Sequence, residues 1–576
     1  MSSTKSQIKI CQNCKKDFII EPDDFLFYEK IKVPPPTFCP ECRMIRRMTF
    51  RNERTLYRRT CEAKEHGEQI LSVFSPDKKQ KVFCHSAWWG DSWDGIEYAK
   101  DYDFSKTFFS QIQELWQSVP DIGLFNINPV NSEYCSITEG NKNCYLVIGG
   151  DFNEDTRYSC FIFHSKECAD CYGISKSEWN YEVIDSIQNY NLSYSQYCEG
   201  CYDSVFLFNC KNCSNCFGCT NLNNGSYSWF NEQLTKDEYK TRLEEINLGS
   251  YISILKHKKD FYEFSLKFPR KYSRILRSVN STGDNMEQAK NCKECFGIFD
   301  GAEDCRYLWL IYSKITNSFD SDHSGLKSNL LYECSTVYPG NIVLFSRFIF
   351  NGREVEYSYN CHNSSNIFGC IGLRNKQYCI LNKQYSKEEY KELRLKIIEH
   401  MNKTPYVNSA GNIYKYGEFF PEEISPFAYN ETVANELLPL GEEKVKKSGY
   451  LWKQKEGKNY AITKNFNDLP DNINQVNISI TKETIQCTHN GNCNDGCSTA
   501  FKITEDELNF YKKMNIPLPR LCSNCRHYER LQSRNPIKLW HRTCMKEGCN
   551  NEFETSYAPE RPEIVYCEKC YQQEVY

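Results

Sequence analysis

The sequence predicts a multidomain protein, mainly β with short helices, in which matching cysteine-rich modules at both ends flank a duplicated, β-solenoid-like middle. Three observations predict this arrangement. The N-terminal segment repeats near the C-terminus at an offset of 483 positions, with Cys14 on Cys497, Cys39 and Cys42 on Cys522 and Cys525, Cys61 on Cys544 and Cys84 on Cys567. A second duplication, at an offset of 151, places Phe217, Gly218 and Cys219 on Phe368, Gly369 and Cys370. Upstream of each copy's end, short strand-like pieces with Asn, Gly and Cys at their corners follow one another without helices, as in stacked solenoid coils.

The expected divisions are a double ribbon module over 1–95, a helical connector over 96–130, and a first solenoid-like repeat with a terminal helix over 131–255. A basic aromatic connector over 256–280 leads to the second repeat, also closed by a helix, over 281–404. An extended segment, a helix and a linker fill 405–485, and the second double ribbon module occupies 486–576. A chain of 576 residues is too long for a single core, so several units are required. A net charge of −4 excludes a globally basic or acidic partner surface and leaves only local clusters to carry electrostatics. No apolar run approaches the roughly 20 residues of a membrane span, and no signal-peptide core is visible after Met1. No membrane partner is expected, and the expected location is the cytoplasm. The 33 cysteines then read as metal ligands where they pair as Cys-x2-Cys and as small buried hydrophobes elsewhere.

The first half of the N-terminal module holds Cys11-x2-Cys14, a strand through Phe18 and Ile20, a short helix through Phe27 and Tyr28, and Cys39-x2-Cys42. Two such knuckles, about two dozen residues apart, make a tetrahedral thiolate site closed to solvent, which is what structural zinc requires. Its counterpart opens with Cys493-x3-Cys497 and closes with Cys522-x2-Cys525, with Thr504 and Glu507 as a capping box for its helix. In the second half, Cys544, Cys549, Cys567 and Cys570 form a complete C-terminal set. The N-terminal copy offers Cys61, His66 and Cys84, but Ala87 stands where the fourth ligand should be. His85 is the candidate substitute, with awkward geometry beside Cys84. Trp88, Trp89 and Trp93 follow and are expected in the core. The Cys-x2-Cys…Phe-Tyr…Pro…Cys-x2-Cys-Arg pattern resembles the zinc-ribbon domain family of many bacterial proteins. That resemblance covers about a tenth of the chain per copy and implies zinc binding without a settled activity.

Between the halves, Arg43, Arg47, Arg51, Arg54 and Arg58 recur every three or four residues, which places them on one face of a helix. The C-terminal copy keeps Arg526, Arg530, Arg534, Lys538 and Arg542. A basic helical face beside ribbons suits a phosphate backbone; the plainer alternative is a helix whose arginines pair with Glu53 or with acids elsewhere.

In the middle, both copies end in capped helices, Thr235 with Glu238 and Ser386 with Glu389. Cysteine positions recur near multiples of fifteen, as at 171, 201 and 216. The run Cys210, Cys213, Cys216 and Cys219 has iron–sulfur spacing, but its duplicate reads Cys361, Ser364, Ile367 and Cys370, which favours structural thiols. Residues 256–277 interleave Lys and Arg with aromatics, either a nucleic-acid contact or an amphipathic connector docked on the solenoid. Together, the ribbon, the Asn-Lys-x-Tyr-Ser-Lys-Glu-Glu-Tyr helix and the Gly-Glu-Phe-Phe-Pro segment resemble a group of Cys-rich proteins from candidate bacterial phyla, which implies no known reaction. No P-loop, dinucleotide fingerprint, His-Glu-x-x-His or nucleophile elbow appears. The leading expectation is a non-enzymatic zinc protein that grips RNA or DNA through the arginine faces. A protein-binding scaffold comes second and a cytosolic enzyme third.

Overall fold

The computed structural model describes residues 5–454 and 460–575. Its middle is built on a step of three. From Asn128 to Phe230 nearly every third residue takes φ near +50°, among them Asn143, Leu146, Asp155, Tyr158 and Phe161. Each reversal turns a corner, so four three-residue sides close one coil. Parallel bridges therefore join residues twelve apart, as in Lys142 to Glu154, Glu154 to Lys166 and Lys166 to Glu178. Asn and Gly take such corners cheaply, whereas Tyr158 and Phe161 each strain the backbone by about 1–2 kcal/mol. Coil-to-coil hydrogen bonds, such as Cys160 N–H to Cys171 O at 3.0 Å, and the buried interior offset that strain.

The expected fifteen-residue period is thus corrected to twelve. Inward positions recur every three residues, so 171, 201 and 216 all point inward, and fifteen is five sides rather than one coil. The second solenoid opens with an eleven-residue step, Val279 to Lys290, and then takes thirteen-residue coils, Lys290 to Glu303 to Thr316 to Asn329. It settles to twelve from Ser335 to Arg347 to Tyr359.

A square coil this small leaves a narrow interior, filled by Cys, Val, Ile and Leu. Cys210, Cys213, Cys216 and Cys219 are the four inward residues of successive sides, and their thiols donate to backbone carbonyls, Cys213 to Lys211 O at 3.2 Å and Cys216 to Ser214 O at 3.3 Å. The run is a consequence of coil geometry.

Each solenoid ends in a hairpin and a helix that cover its last open coil edge. Ser228–Trp229 pairs with Glu232–Gln233 before helix Lys236–Glu244, and Gln377–Ile380 pairs with Lys383–Gln384 before helix Lys387–Lys403. Both helices carry the capping boxes expected of Thr235 and Ser386. Helix Tyr251–Ser265 lies on the first solenoid, with Phe261 against Phe206 and Phe264 against Phe230. Helix Phe108–Ser118 packs Phe108 on Tyr357 and Phe368 of the second.

Two connecting segments are more buried than a polar linker would be. Phe419, Phe420 and Phe427 are interior, in the stretch expected to run extended over a surface. The expected linker over 453–485 includes five residues outside the described set. Within its remainder, Leu469, Ile473, Val476, Ile480 and Ile485 join one core with Leu508 and Phe510 of the C-terminal ribbon. Ile473 and Ile480 lie in short 3-10 turns and Leu469 and Val476 directly after such turns, a spacing that neither helix nor strand periodicity detects. No helix among the described residues is long and apolar enough to cross a membrane.

Cys213→Ser with Cys216→Ile should leave a soluble, folded protein, because Ser364 and Ile367 fill the matching inward positions of the second solenoid. The added bulk of Ile should cost about 1–3 kcal/mol, read as a lowered denaturation midpoint with an unchanged circular-dichroism spectrum.

Candidate metal centres and the cleft between the solenoids

Both terminal modules are built by the same local contacts. Strand Gln7–Ile10 pairs with Asp17–Ile20, and Ile485–Gln486 pairs with Ala500–Phe501. Helices Pro22–Ile31 and Pro40–Met48 correspond to Glu505–Lys513 and Ser523–Gln532. Hairpin Tyr57–Thr60 with Gln69–Ser72 corresponds to Trp540–Thr543 with Glu552–Thr555.

In the N-terminal module Cys11, Cys14, Cys39 and Cys42 bring their thiols together, with Cys14 and Cys39 Sγ 3.7 Å apart. The Cys39 amide donates to Cys11 Sγ at 3.3 Å, a bond that holds the two knuckles in register. Hydrogen bonds from the Cys39 and Cys42 thiols push the Cys11 thiol well below its ordinary value. The donors suit a metal ion.

The C-terminal counterpart corrects the ligand set. Its four thiols are Cys487, Cys497, Cys522 and Cys525, so Cys487 and not Cys493 completes it. The Cys522 amide donates to Cys487 Sγ at 3.3 Å, as Cys39 does to Cys11, and Cys487 follows its strand as Cys11 does. Nine residues separate Cys487 from Cys497, where two separate Cys11 from Cys14, so a gapless comparison sets Cys11 against Asn494. The available signal was the Thr484-Ile485-Gln486 strand before Cys487. Cys493 Sγ lies 3.8 Å from Cys525 Sγ, in a neighbouring group with His489 and Asp495.

The second C-terminal set is as expected. Cys544, Cys549, Cys567 and Cys570 converge, with Cys549 and Cys567 Sγ 3.9 Å apart. Burial pushes the Cys567 thiol up, but the Asn551 amide and neighbouring groups outweigh it and hold the thiol at about 6. In the N-terminal copy only Cys61, His66 and Cys84 converge, with His66 Nδ1 3.4 Å from Cys84 Sγ. His85 is not among them. It opens the short helix His85–Trp89, and its ring lies beside Trp89 instead. Trp88 and Trp93 are buried, as expected.

The arginine rows do not form an outer face. The first helix ends at Met48, so Arg51 and Arg54 lie in the loop beyond it and Arg58 in the following strand. Arg43 and Arg47 both reach Asp320, at 2.9 and 3.3 Å, and Arg47 also reaches Asp322. Arg51 binds Asp322 at 2.6 Å and Glu53 at 2.5 Å. The side chains of these three arginines are at most 2% exposed. Arg46, which the row of five omits, binds Glu333 at 2.7 Å and Glu418 at 3.1 Å.

The C-terminal row repeats the plan on the first solenoid. Arg526 and Arg530 share Asp170, at 3.0 and 2.7 Å, and Arg534 takes Asp185 at 2.9 Å. Asp170, Asp185 and Asp320 all sit at positive-φ corners of coils. Burial would push the Asp170 carboxyl up, but the Arg526 and Arg530 guanidiniums outweigh it and hold it below its ordinary value. Arg54 is half-buried, donating to Asn524 Oδ1 at 3.3 Å, and Arg542 donates to the Tyr557 and Ala558 carbonyls. Of the nine arginines expected to meet phosphates, Arg58 alone is exposed. Each ribbon is thereby docked on the solenoid farther from it in sequence.

Between the solenoids and against the C-terminal ribbon lies a cleft of about 940 Å³. One wall carries Arg270, stacked 3.6 Å from the Phe208 ring centroid, and Arg274, 3.9 Å from that of Tyr197. Phe163, Phe299 and Tyr312 also line the cleft, with Phe299 and Tyr312 stacked 5.3 Å apart. Arg270 Nη1, Arg274 Nη1, Asn285 Nδ2 and Tyr312 Oη are buried without a hydrogen-bond partner among the described residues. Lys271, Lys211 and Arg277 in the same cleft are paired with Glu568, Glu199 and Glu287. Burial lowers the Arg270 pKa, and its Nη2 donates to Ser265 Oγ at 3.0 Å.

No family model and no curated protein matches the chain. One solved structure with some likeness is a "putative acetyltransferase from Desulfovibrio desulfuricans G20". It is 11% identical, with 42% of this chain and 63% of that one covered, at a TM-score of 0.11. So slight a likeness carries no argument.

Asp170→Asn should destabilise the protein by about 3–5 kcal/mol, because it leaves two buried guanidiniums without their counter-charge. Denaturant titration checks this, and Asp170→Glu should recover only part of the loss. Ala87→Cys should complete the N-terminal second set, since Ala87 stands where Cys570 completes the C-terminal one. Metal retained after dialysis against a chelator should rise by about one equivalent per chain over wild type.

Proposed function

We propose that the protein is a zinc-dependent binding protein, in which ribbons lock two solenoids around a cleft that takes a nucleotide unit of single-stranded RNA or DNA. Zinc is supported by the donor sets. Thiolates about 2.3 Å from a tetrahedral ion lie about 3.8 Å apart, and the observed Sγ separations of 3.5 to 4.0 Å bracket that value. Thirty-three cysteines, none in a disulfide, suit a reducing compartment such as the cytoplasm.

The observation that carries the binding reading is the pair Arg270 and Arg274. Both are held by aromatic rings, and among the described residues neither has a carboxylate partner and each leaves a buried N–H without an acceptor. A buried donor left unmade is costly, so an anionic group that accepts these bonds is favoured. The Phe163, Phe299 and Tyr312 rings that line the same cleft give a flat ring something to stack on, which every base can use. Phosphate and ring together describe a nucleotide. Arg43, Arg47, Arg51, Arg526, Arg530 and Arg534 of the ribbon rows take no part, since their guanidiniums are spent on solenoid carboxylates.

Fluorescence anisotropy with short single-stranded RNA and DNA oligomers tests this, with mononucleotides and inorganic phosphate as competitors. Wild type should bind with a salt-dependent affinity. Arg270→Ala with Arg274→Ala should flatten the slope of log affinity against log salt by about 0.7 per lost phosphate contact. Tyr312→Phe should weaken binding while leaving the salt slope and the fold unchanged. Binding that is absent, or indifferent to all three changes, would overturn the nucleic-acid reading and leave a scaffold for protein partners.

A further inference from the structure

The two ribbon modules differ most between their first two ligands. Cys11 and Cys14 are joined by a tight knuckle, whereas Cys487 and Cys497 are joined by a nine-residue excursion that contains His489, Cys493 and Asp495. The excursion turns back through Asn490, Gly491 and Gly496, all at positive φ, and returns over the helix that carries Cys525. It ends with Cys493 Sγ 3.8 Å from Cys525 Sγ and with His489 Nδ1 3.6 Å from Asp495 Oδ2. The four donor atoms of His489, Cys493, Asp495 and Cys525 lie within 4.8 Å of one another. His489 Nδ1 is buried and makes no hydrogen bond among the described residues, although a carboxylate is close by. Two donors that face each other at such a distance without bonding are spaced as ligands of one ion.

Cys525 belongs to both groups. Its thiol is 3.5 Å from Cys522 Sγ and 3.9 Å from Cys487 Sγ, within a four-thiol set that is complete without Cys493. We propose that this ribbon holds a second divalent cation of the zinc type, bound by His489, Cys493, Asp495 and Cys525, with the Cys525 thiolate bridging the two ions. The inference rests on the reading that the four-thiol set holds zinc. A thiolate has lone pairs enough for two ions, and the mixed donors suit a borderline-soft cation. With His489 neutral, Cys493 and Asp495 cancel the charge of the added ion, so the second site does not deepen the charge of the first. The N-terminal ribbon cannot do this, because two residues between Cys11 and Cys14 supply no further donor set.

The test uses the full chain loaded with zinc, and separately with cobalt(II). His489→Ala with Asp495→Ala should lower bound zinc by one equivalent per chain and leave the fold intact. In wild type loaded with cobalt, the bridging thiolate should couple two ions magnetically, so the paramagnetic resonance signal per cobalt should be smaller than in the double variant. Equal metal content in the two proteins, with equal signal per cobalt, would overturn the second site. Cys497→Ser touches only the four-thiol set. If it leaves the metal content unchanged, the fault lies with the zinc reading of that set and not with the bridge.

Discussion

The structure depends on aspartates at solenoid corners that are buried beneath arginines from the ribbons. Asp320 receives Arg43 and Arg47, and Asp170 receives Arg526 and Arg530, one helical turn apart in each case. In both modules the first arginine also donates to a backbone carbonyl five residues before it, Phe38 O and Leu521 O. The guanidinium is therefore oriented by its own ribbon before it meets the solenoid. Desolvating such pairs costs about as much as their attraction returns, so they add little net stability. What they do is penalise every misplaced arrangement, since a ribbon docked out of register would bury unpaired guanidiniums. Aromatic packing supplies the favourable burial, with Phe27 stacked on Phe319 at 3.9 Å in one dock and Phe510 against Trp179 and Tyr181 in the other.

This docking gives the metal sites their structural meaning. The helix that displays Arg43, Arg46 and Arg47 begins at Cys39, and the one that displays Arg526 and Arg530 begins at Cys522. The second knuckle of each first set thus anchors the N-terminus of the docking helix. The convergence of the four thiols, helix placement and solenoid contact form one chain of constraint. The docks also cross: the N-terminal ribbon closes on the second solenoid and the C-terminal ribbon on the first. Strand Arg270–Lys271 pairs with Val565–Tyr566 of the C-terminal ribbon, which puts the Arg270 guanidinium of the cleft next to a module whose four thiols suit a metal ion. A rigid wall on that side lets Arg270 remain buried without a carboxylate partner.

The duplications, the four-thiol modules and the presence of a solenoid were legible in the sequence because each rests on local spacing. Cys-x2-Cys knuckles, capping boxes at Thr235, Ser386 and Thr504, and inward residues at multiples of three are all decided within a few residues. The coil length was not, because twelve-residue coils with three-residue sides leave cysteines at any multiple of three. Cys487 was hidden by an insertion that moves a ligand along the chain without moving it in space.

What the sequence by itself determined about this protein is its parts and their internal chemistry. What each ribbon's arginine face meets was decided only by tertiary structure. Arginines every third or fourth residue specify a shared face, but not whether water, phosphate or carboxylate meets it. That choice fell to Asp320, Glu333 and Asp170, which lie some hundreds of positions from the guanidiniums they bind. The cleft was decided in the same way, since its arginines, its aromatic rings and the ribbon beside them come from separate stretches of chain. Local rules set the angle of each turn and the donors of each knuckle. Long-range packing set which charges were neutralised within the fold and which, at Arg270 and Arg274, were left without a carboxylate partner among the described residues.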